Sequence, residues 1–136
     1  MGANAIEVSA GLILRSGKLL ITQRHADAHL GGLWEFPGGK REPGESFEQC
    51  LKRELREELG VEVSVGELFG SVTHSYPDEK TVALKFFLCR LERGEPQPLD
   101  CAGVKWVELS ELARYAFPTA DGLVLEKIRD TPRLWK

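Results

Sequence analysis

Between Ser46 and Gly60 the chain spells out a helix that carries acid where its core-facing stripe should be. Ser46 followed by Gln49 has the pattern of a capping box, and Gly60 stands where a left-handed residue ends a helix. At about 100° per residue, Phe47, Leu51, Leu55 and Leu59 fall within about 120° of one another, a stripe that can be buried. Glu58 falls inside that stripe, Glu54 on its edge and Glu57 one step further round; Arg53 lies beyond them. Ionised carboxylates facing a core are costly unless something cationic compensates them. The i, i+3, i+4 spacing of Glu54, Glu57 and Glu58 also gathers three like charges, which repel. A hard divalent cation such as Mg²⁺ resolves both costs, since it takes oxygen ligands and keeps part of its water shell. The other reading of RELREEL is a charged, solvated helix of good helix formers. On this segment alone the two stand about even.

The rest of the composition narrows the classes. At 136 residues there is room for one domain, 1–136. Eighteen basic residues against 21 acidic ones give a net charge of −3, which argues against a protein that coats a nucleic-acid polymer. Small phosphorylated ligands need only a local patch and stay open. Cysteines stand at 50, 89 and 101 with no C-x-x-C pair, so reduced thiols are expected rather than a disulfide framework or a thiolate zinc site. The start lacks the basic and apolar regions of a secretory signal, and no apolar run approaches the ~18 residues of a membrane span. A cytoplasmic protein, monomer or homodimer, with no membrane partner is the expectation.

Hydrophobic patterning predicts strands over Ile6–Leu14 and Lys18–Gln23, joined by a Ser16-Gly17 turn into a hairpin. Trp34-Glu35-Phe36 reads as a short strand ended by Pro37-Gly38-Gly39, and 40–45 as loop. After the helix, strands are predicted over Val61–Leu68, Phe69–His74 and Thr81–Leu91, the last two flanking a Ser75-Tyr76-Pro77-Asp78 loop. A strand over Val104–Val107 follows, then a short helix capped by Ser110 and a closing helix over Ala120–Arg129. The sum is an α+β chain with a mixed sheet.

The sequence around the acidic helix decides between the two readings. Gly39-(five residues)-Glu45-(seven residues)-Arg53-Glu54-Leu55-x-Glu57-Glu58-x-Gly60-Val61 resembles the Nudix box without a departure, across 39–61. RHADAHLGGLWEFPGGK, the YPD loop and Lys105-Trp106-Val107 before an SEL helix are similar to the MutT branch of that family, so the resemblance covers nearly the whole chain. It implies the Nudix fold, a mixed β-sheet sandwiched between α-helices.

It also implies a chemistry. Enzymes of the MutT branch cleave nucleoside triphosphates to a monophosphate and pyrophosphate with bound Mg²⁺, Mn²⁺ being an alternative. By similarity, Glu54, Glu57 and Glu58 are metal ligands together with the Gly38 carbonyl, and Glu54 is the first candidate for the base that deprotonates water. Arg53 is expected to pair with Glu45 and, with Gly39, to hold the loop on the helix. Asp100, six residues before Trp106, occupies a position where the family often supplies another carboxylate; MutT has Glu there, and the shorter Asp reaches a metal less directly. Arg24 and Lys40 are candidates for countering phosphate charge, and surface residues otherwise.

For the base pocket the candidates are Phe36, Tyr76 and Asp121, with core packing the competing role for the two aromatics. Asp121 falls where MutT carries the Asn that reads 8-oxoguanine; relatives that prefer cytidine nucleotides carry Asp. His29 matches a MutT segment, and His25 and His74 receive no role. Trp106 reads as a core anchor, Cys50 as packing and Cys101 as incidental. The expected function is a nucleoside triphosphate pyrophosphohydrolase, possible substrates including oxidised or non-standard nucleotides. The alternatives are hydrolysis of dinucleoside polyphosphates and a catalytically silent sensing or interaction module.

Overall fold

Both ladders of the fold depend on strand β1 (Ile6–Arg15), in a computed structural model that describes residues 5–77 and 81–136. Asp78 of the YPD loop lies outside the described residues. One edge of β1 pairs in parallel with β6 (Thr81–Arg93), from Ile6 opposite Val82 to Ile13 opposite Cys89. Its other edge is shared: β4 (Gly38–Lys40) takes Val8 to Ala10, and β2 (Lys18–Gln23) takes Leu14 and Arg15, both antiparallel. Strand β5 (Glu62–Ser75) runs antiparallel along the far side of β6. Strand β2 in turn pairs with β7 (Gly103–Val107) and with the two-residue β3 (Trp34–Glu35). The β1–β2 connection is the predicted two-residue turn, with both Ser16 and Gly17 at positive φ, as the twist of a hairpin favours.

Helices close both faces. Helix α1 (Phe47–Leu59) sinks Leu51, Leu55 and Leu59 against Ile13, Leu20 and Phe87. Helix α2 (Gly122–Arg129) puts Val124 and Ile128 into a second core with Leu12, Ile21, Phe36, Phe69 and Phe86. Neighbours such as Leu12 and Ile13, or Phe86 and Phe87, thus enter opposite cores, which is why β1 and β6 read as continuous apolar runs rather than alternating ones.

Several predicted boundaries move. The two strands expected over 61–74 are one, β5; shifts of register between Val65 and Leu68, and between Leu68 and Gly70, reset the alternation without breaking the ladder. Gly38–Lys40 is a strand, not the end of one. Its backbone lies so near β1 that a Cβ on Gly38 would run into the Ser9 carbonyl, so glycine permits the pairing. Ser110 caps nothing: a 3₁₀ turn over Leu109–Arg114 starts one residue earlier, with Glu111 reaching back to the Glu108 N–H at 2.9 Å. The closing helix begins at Gly122, after a 3₁₀ turn over Thr119–Asp121, and a last such turn spans Pro132–Trp135. Trp106 is half-buried with the Arg15 guanidinium 4.3 Å from its ring, whereas Cys101 is buried beside α1. All three cysteines are free and buried.

Because the whole acidic helix hangs on its apolar stripe, Leu55→Ala should cost about 2–5 kcal/mol. Urea unfolding followed by circular dichroism measures this; a loss below about 1 kcal/mol would mean that α1 is held chiefly by its polar contacts.

Candidate active site

Helix α1 is fixed at both ends. The Ser46 hydroxyl accepts from the Gln49 N–H at 3.0 Å while the Gln49 side chain accepts from the Ser46 N–H at 2.8 Å. At the other end Gly60, at φ 72°, donates to the Arg56 carbonyl. The loop before β7 supplies the donors that the last carbonyls lack: Gln97 N–H reaches Leu59 O at 3.0 Å, and Leu99 and Asp100 N–H reach Glu58 O at 3.0 and 3.2 Å. Asp100 is thereby seated on the C-terminal end of the helix that carries the glutamates.

Arg53 ties the helix to the loop before it. Its guanidinium donates to Glu45 at 2.7 and 3.0 Å, to the Lys40 carbonyl at 3.0 Å, to Glu54 at 3.0 Å and to Glu57 at 3.2 Å. These bonds hold the Glu45 carboxyl down at about 2, Arg53 contributing most and the Glu42 N–H next. Gly39 lies against the Glu54 carboxyl, where a Cβ would collide with it.

The three glutamates have different surroundings. Glu57 is 61% exposed and leans on Arg53. Glu54 is largely buried, and burial raises its pKa against the lowering effect of Arg53. Among the described residues Glu58 accepts only from the Gly38 N–H, at 3.3 Å, and burial followed by the nearby Glu35 pushes it up to about 8. Among the described residues no three Asp, Glu, His or Cys side chains form a ready cage. The reason is local: Arg53 draws Glu54 and Glu57 outward, and Glu58 turns to the β4 backbone.

From Glu58 a cleft runs along β3 and β4 as three adjoining hollows of about 200, 270 and 240 Å³. Arg24 and Glu35 line all three. Asp100, His25 and Glu58 line the first, Phe36, Lys40 and Asp121 the second, and Tyr76, His29 and Asp121 the third. Asp121 is only 6% exposed, and burial followed by Glu35 pushes its pKa up to about 7 against the opposing pull of Arg24. Phe36 is a buried core residue, 5.2 Å from Phe117 and edge-on to Phe86, so the aromatic lines the cleft while packing the core. Tyr76 stands edge-on between His29 and His74, with ring centroids at 5.3 and 4.6 Å.

Two residues escape the sequence reading. Glu35 pairs with Arg24 at 2.8 Å and sits at the centre of the cleft, with its pKa raised chiefly by burial. An acid between Trp34 and Phe36 in a short strand was the available signal. His25 meets the Asp100 carboxylate at 3.2 Å, and Asp100 is 81% exposed. No local pattern announces that contact, because 75 residues separate the partners.

A family model described as the NUDIX domain matches residues 9–127, and the chain belongs to that family. It is 59% identical over 121 residues to a CTP pyrophosphohydrolase of Escherichia coli K12, covering 89% of each chain. It is 35% identical over 125 residues to an 8-oxo-dGTP diphosphatase of the same organism, covering 91% of this chain and 96% of that one. Among solved structures, the solution structure of the E. coli ORF135 protein superposes with a TM-score of 0.80 at 38% identity, over 94% of this chain and 91% of that one.

The charge pattern predicts opposite pH dependences on the two sides of the helix. Glu45 has a folded pKa below its unfolded value, so it adds stability above about 4.5 that is lost as pH falls towards 2. Glu58 and Asp121 are raised to about 8 and 7, so each lowers stability as pH climbs from the ordinary carboxylate range to those values. In chelator, thermal melts should show Glu45→Gln flattening the acid limb. Glu58→Gln and Asp121→Asn should raise Tm at pH 8 more than at pH 4. Equal shifts at both pH values would contradict the assignment.

Proposed function

We propose that the chain is a Mg²⁺-dependent nucleoside triphosphate pyrophosphohydrolase, converting a nucleoside triphosphate and water to the monophosphate and pyrophosphate, within a single domain. The observation that carries this reading is the half-buried Glu58 carboxyl, which has no cationic partner among the described residues and lines the same hollow as Arg24. The printed activities of the two relatives, CTP pyrophosphohydrolase and 8-oxo-dGTP diphosphatase, support the same reaction class. The donor set fits a hard cation, since every candidate ligand offers oxygen: Glu54, Glu57, Glu58, Asp100 and the Gly38 carbonyl. Bound there, Mg²⁺ supplies a more acidic water and offsets charge on the phosphates.

The remaining roles follow from the surroundings. Glu54, half-buried and tied to Arg53, takes the proton of the attacking water. Arg53 and Glu45 hold that carboxyl and the β4 strand in register. Arg24 and Lys40 counter phosphate charge from the cleft wall. Phe36 and Tyr76 give the base apolar contact, and Asp121 reads its polar edge. Among the described residues no helix is long and apolar enough to cross a membrane, and the buried free thiols suit the cytoplasm.

Glu54→Gln and Glu58→Gln should each remove most pyrophosphate release, because amides are poor ligands for Mg²⁺. In thermal melts, Mg²⁺ at 100 times its Kd should stabilise the wild type by about 2.7 kcal/mol, and Glu57→Ala should shrink that gain. Near-wild-type turnover in either Gln variant at saturating Mg²⁺ would remove the assignment.

Asp121 makes base selection depend on pH. Ionised, it only accepts, and favours the amino edges of cytosine and adenine; protonated, it also donates and tolerates a carbonyl. A carbonyl facing the ionised acid leaves a buried acceptor unpaired, worth a factor of roughly 5–150 in kcat/KM. The preference for cytidine or adenosine over uridine and thymidine nucleotides should therefore grow from pH 6 to pH 8.5. Asp121→Asn should abolish that growth and move the ranking towards 8-oxo-dGTP. A substrate panel with the same ranking at both pH values and in both proteins would refute the role.

A further inference from the structure

Among the described residues one buried side-chain polar atom has no hydrogen-bond partner, Oγ1 of Thr22. Thr22 is wholly inaccessible, on β2. Its cross-strand partners are Glu35 on β3 and Val104 on β7. Residues directly opposed in an antiparallel pair project on the same face with Cβ atoms about 4.5–5.5 Å apart. The two side chains therefore stand side by side, where a turn of χ1 or a small shift of Glu35 brings the hydroxyl to the Glu35 carboxyl. Oε1 of Glu35 accepts from Arg24 Nη1 at 2.8 Å, and among the described residues no donor meets Oε2. Valine has the same shape and strand preference and would fill this position without a stranded hydroxyl. The free protein gives no use for the hydroxyl that Thr22 carries.

Arg24 indicates the use. Its guanidinium is held by the Glu35 carboxylate and, through Nε, by the His29 carbonyl at 2.6 Å. It also lines every hollow of the cleft. An incoming polyphosphate competes with Glu35 for that cation, and a carboxylate left without it needs another donor in the same place. We propose that Thr22 is a positioning residue for Glu35, its hydroxyl donating to the Glu35 carboxylate when a nucleotide's phosphates draw Arg24 away. The idea rests on the nucleotide reading of the cleft given above. Thr22 is then idle in the free protein and engaged in the complex, so a valine and a serine at this position separate the two states.

The test measures thermal stability without ligand, and affinity for the α,β-methylene analogues of CTP and dGTP, in wild type, Thr22→Val and Thr22→Ser. Thr22→Val should leave the ligand-free Tm unchanged or higher, because no bond is lost, while weakening analogue binding roughly 10- to 100-fold, the worth of a hydrogen bond to a charged group. Thr22→Ser should do the reverse: a lower Tm from the missing methyl, with affinity within about 3-fold of wild type. A merely structural threonine cannot give this crossed order, since Tm and affinity would then fall together. Binding as tight in Thr22→Val as in wild type overturns the role of Thr22 and leaves the nucleotide reading intact. A ligand-free Tm that drops in Thr22→Val and recovers in Thr22→Ser overturns it as well. Failure of the wild type to bind either analogue removes the nucleotide reading, and this proposal with it.

Discussion

The arrangement turns on one guanidinium. Arg53 is the point at which helix α1, strand β4 and the loop between them meet, through Glu45, Glu54, Glu57 and the Lys40 carbonyl. A planar fork suits the task, because a lysine ammonium could not reach three carboxylates and a carbonyl in fixed directions. Glu45 and Glu54 are half-buried, so their bonds to Arg53 are screened less than surface pairs. Without Arg53, Glu45 would lose its main compensation, and the loop would have little else tying it to the helix. The strand that presents Gly38 to Glu58 is the next link in that chain.

How much of this was legible follows from the range of each interaction. The caps, the apolar stripe and the odd placement of Glu58 are written within one helix, where a fixed rotation per residue converts spacing into direction. The hairpin turn and the apolar runs of β1 and β6 are local in the same sense. Strand β4 was missed because glycine carries no strand preference; its pairing is dictated by the close approach of β1, some 30 residues distant in sequence. The bulges of β5 imitated a chain break for a related reason, as they interrupt alternation while the ladder continues. Glu35 meets Arg24 where β3 pairs with β2, and His25 meets Asp100 only when loops 75 residues apart fold together.

The cleft is more acidic than its cations can balance. Glu35, Glu54, Glu58, Asp100 and Asp121 line it or lie beside it, with Arg24 and Lys40 as its basic side chains and Arg53 committed on the flank. Burial meets that excess by driving Glu58 and Asp121 towards their neutral forms, which lowers the charge at the expense of a site that is only partly ionised near neutral pH. Such a site repels a bare polyphosphate. It is suited to one that arrives with divalent cations, whose positive charge serves ligand and carboxylates together. Acids raised by burial cost stability, as expected where function conflicts with packing.

That view also explains why the acids are spread over separate elements. Glu54 and Glu58 ride on α1, Glu35 on β3, Asp100 on the loop that closes α1, and Asp121 at the start of α2. The elements that carry them are anchored separately in the fold, so their backbones do not move apart when the charges repel. A single acidic loop would open under the same repulsion and lose its shape. The sheet supplies the rigidity: β1 joins both ladders, β4 pairs with it directly and fixes Gly38, and β3 pairs with it through β2 and fixes Glu35. Catalytic precision of this kind comes from elements that cannot yield, which is why the helix stripe and the cleft charge have to be read as one constraint.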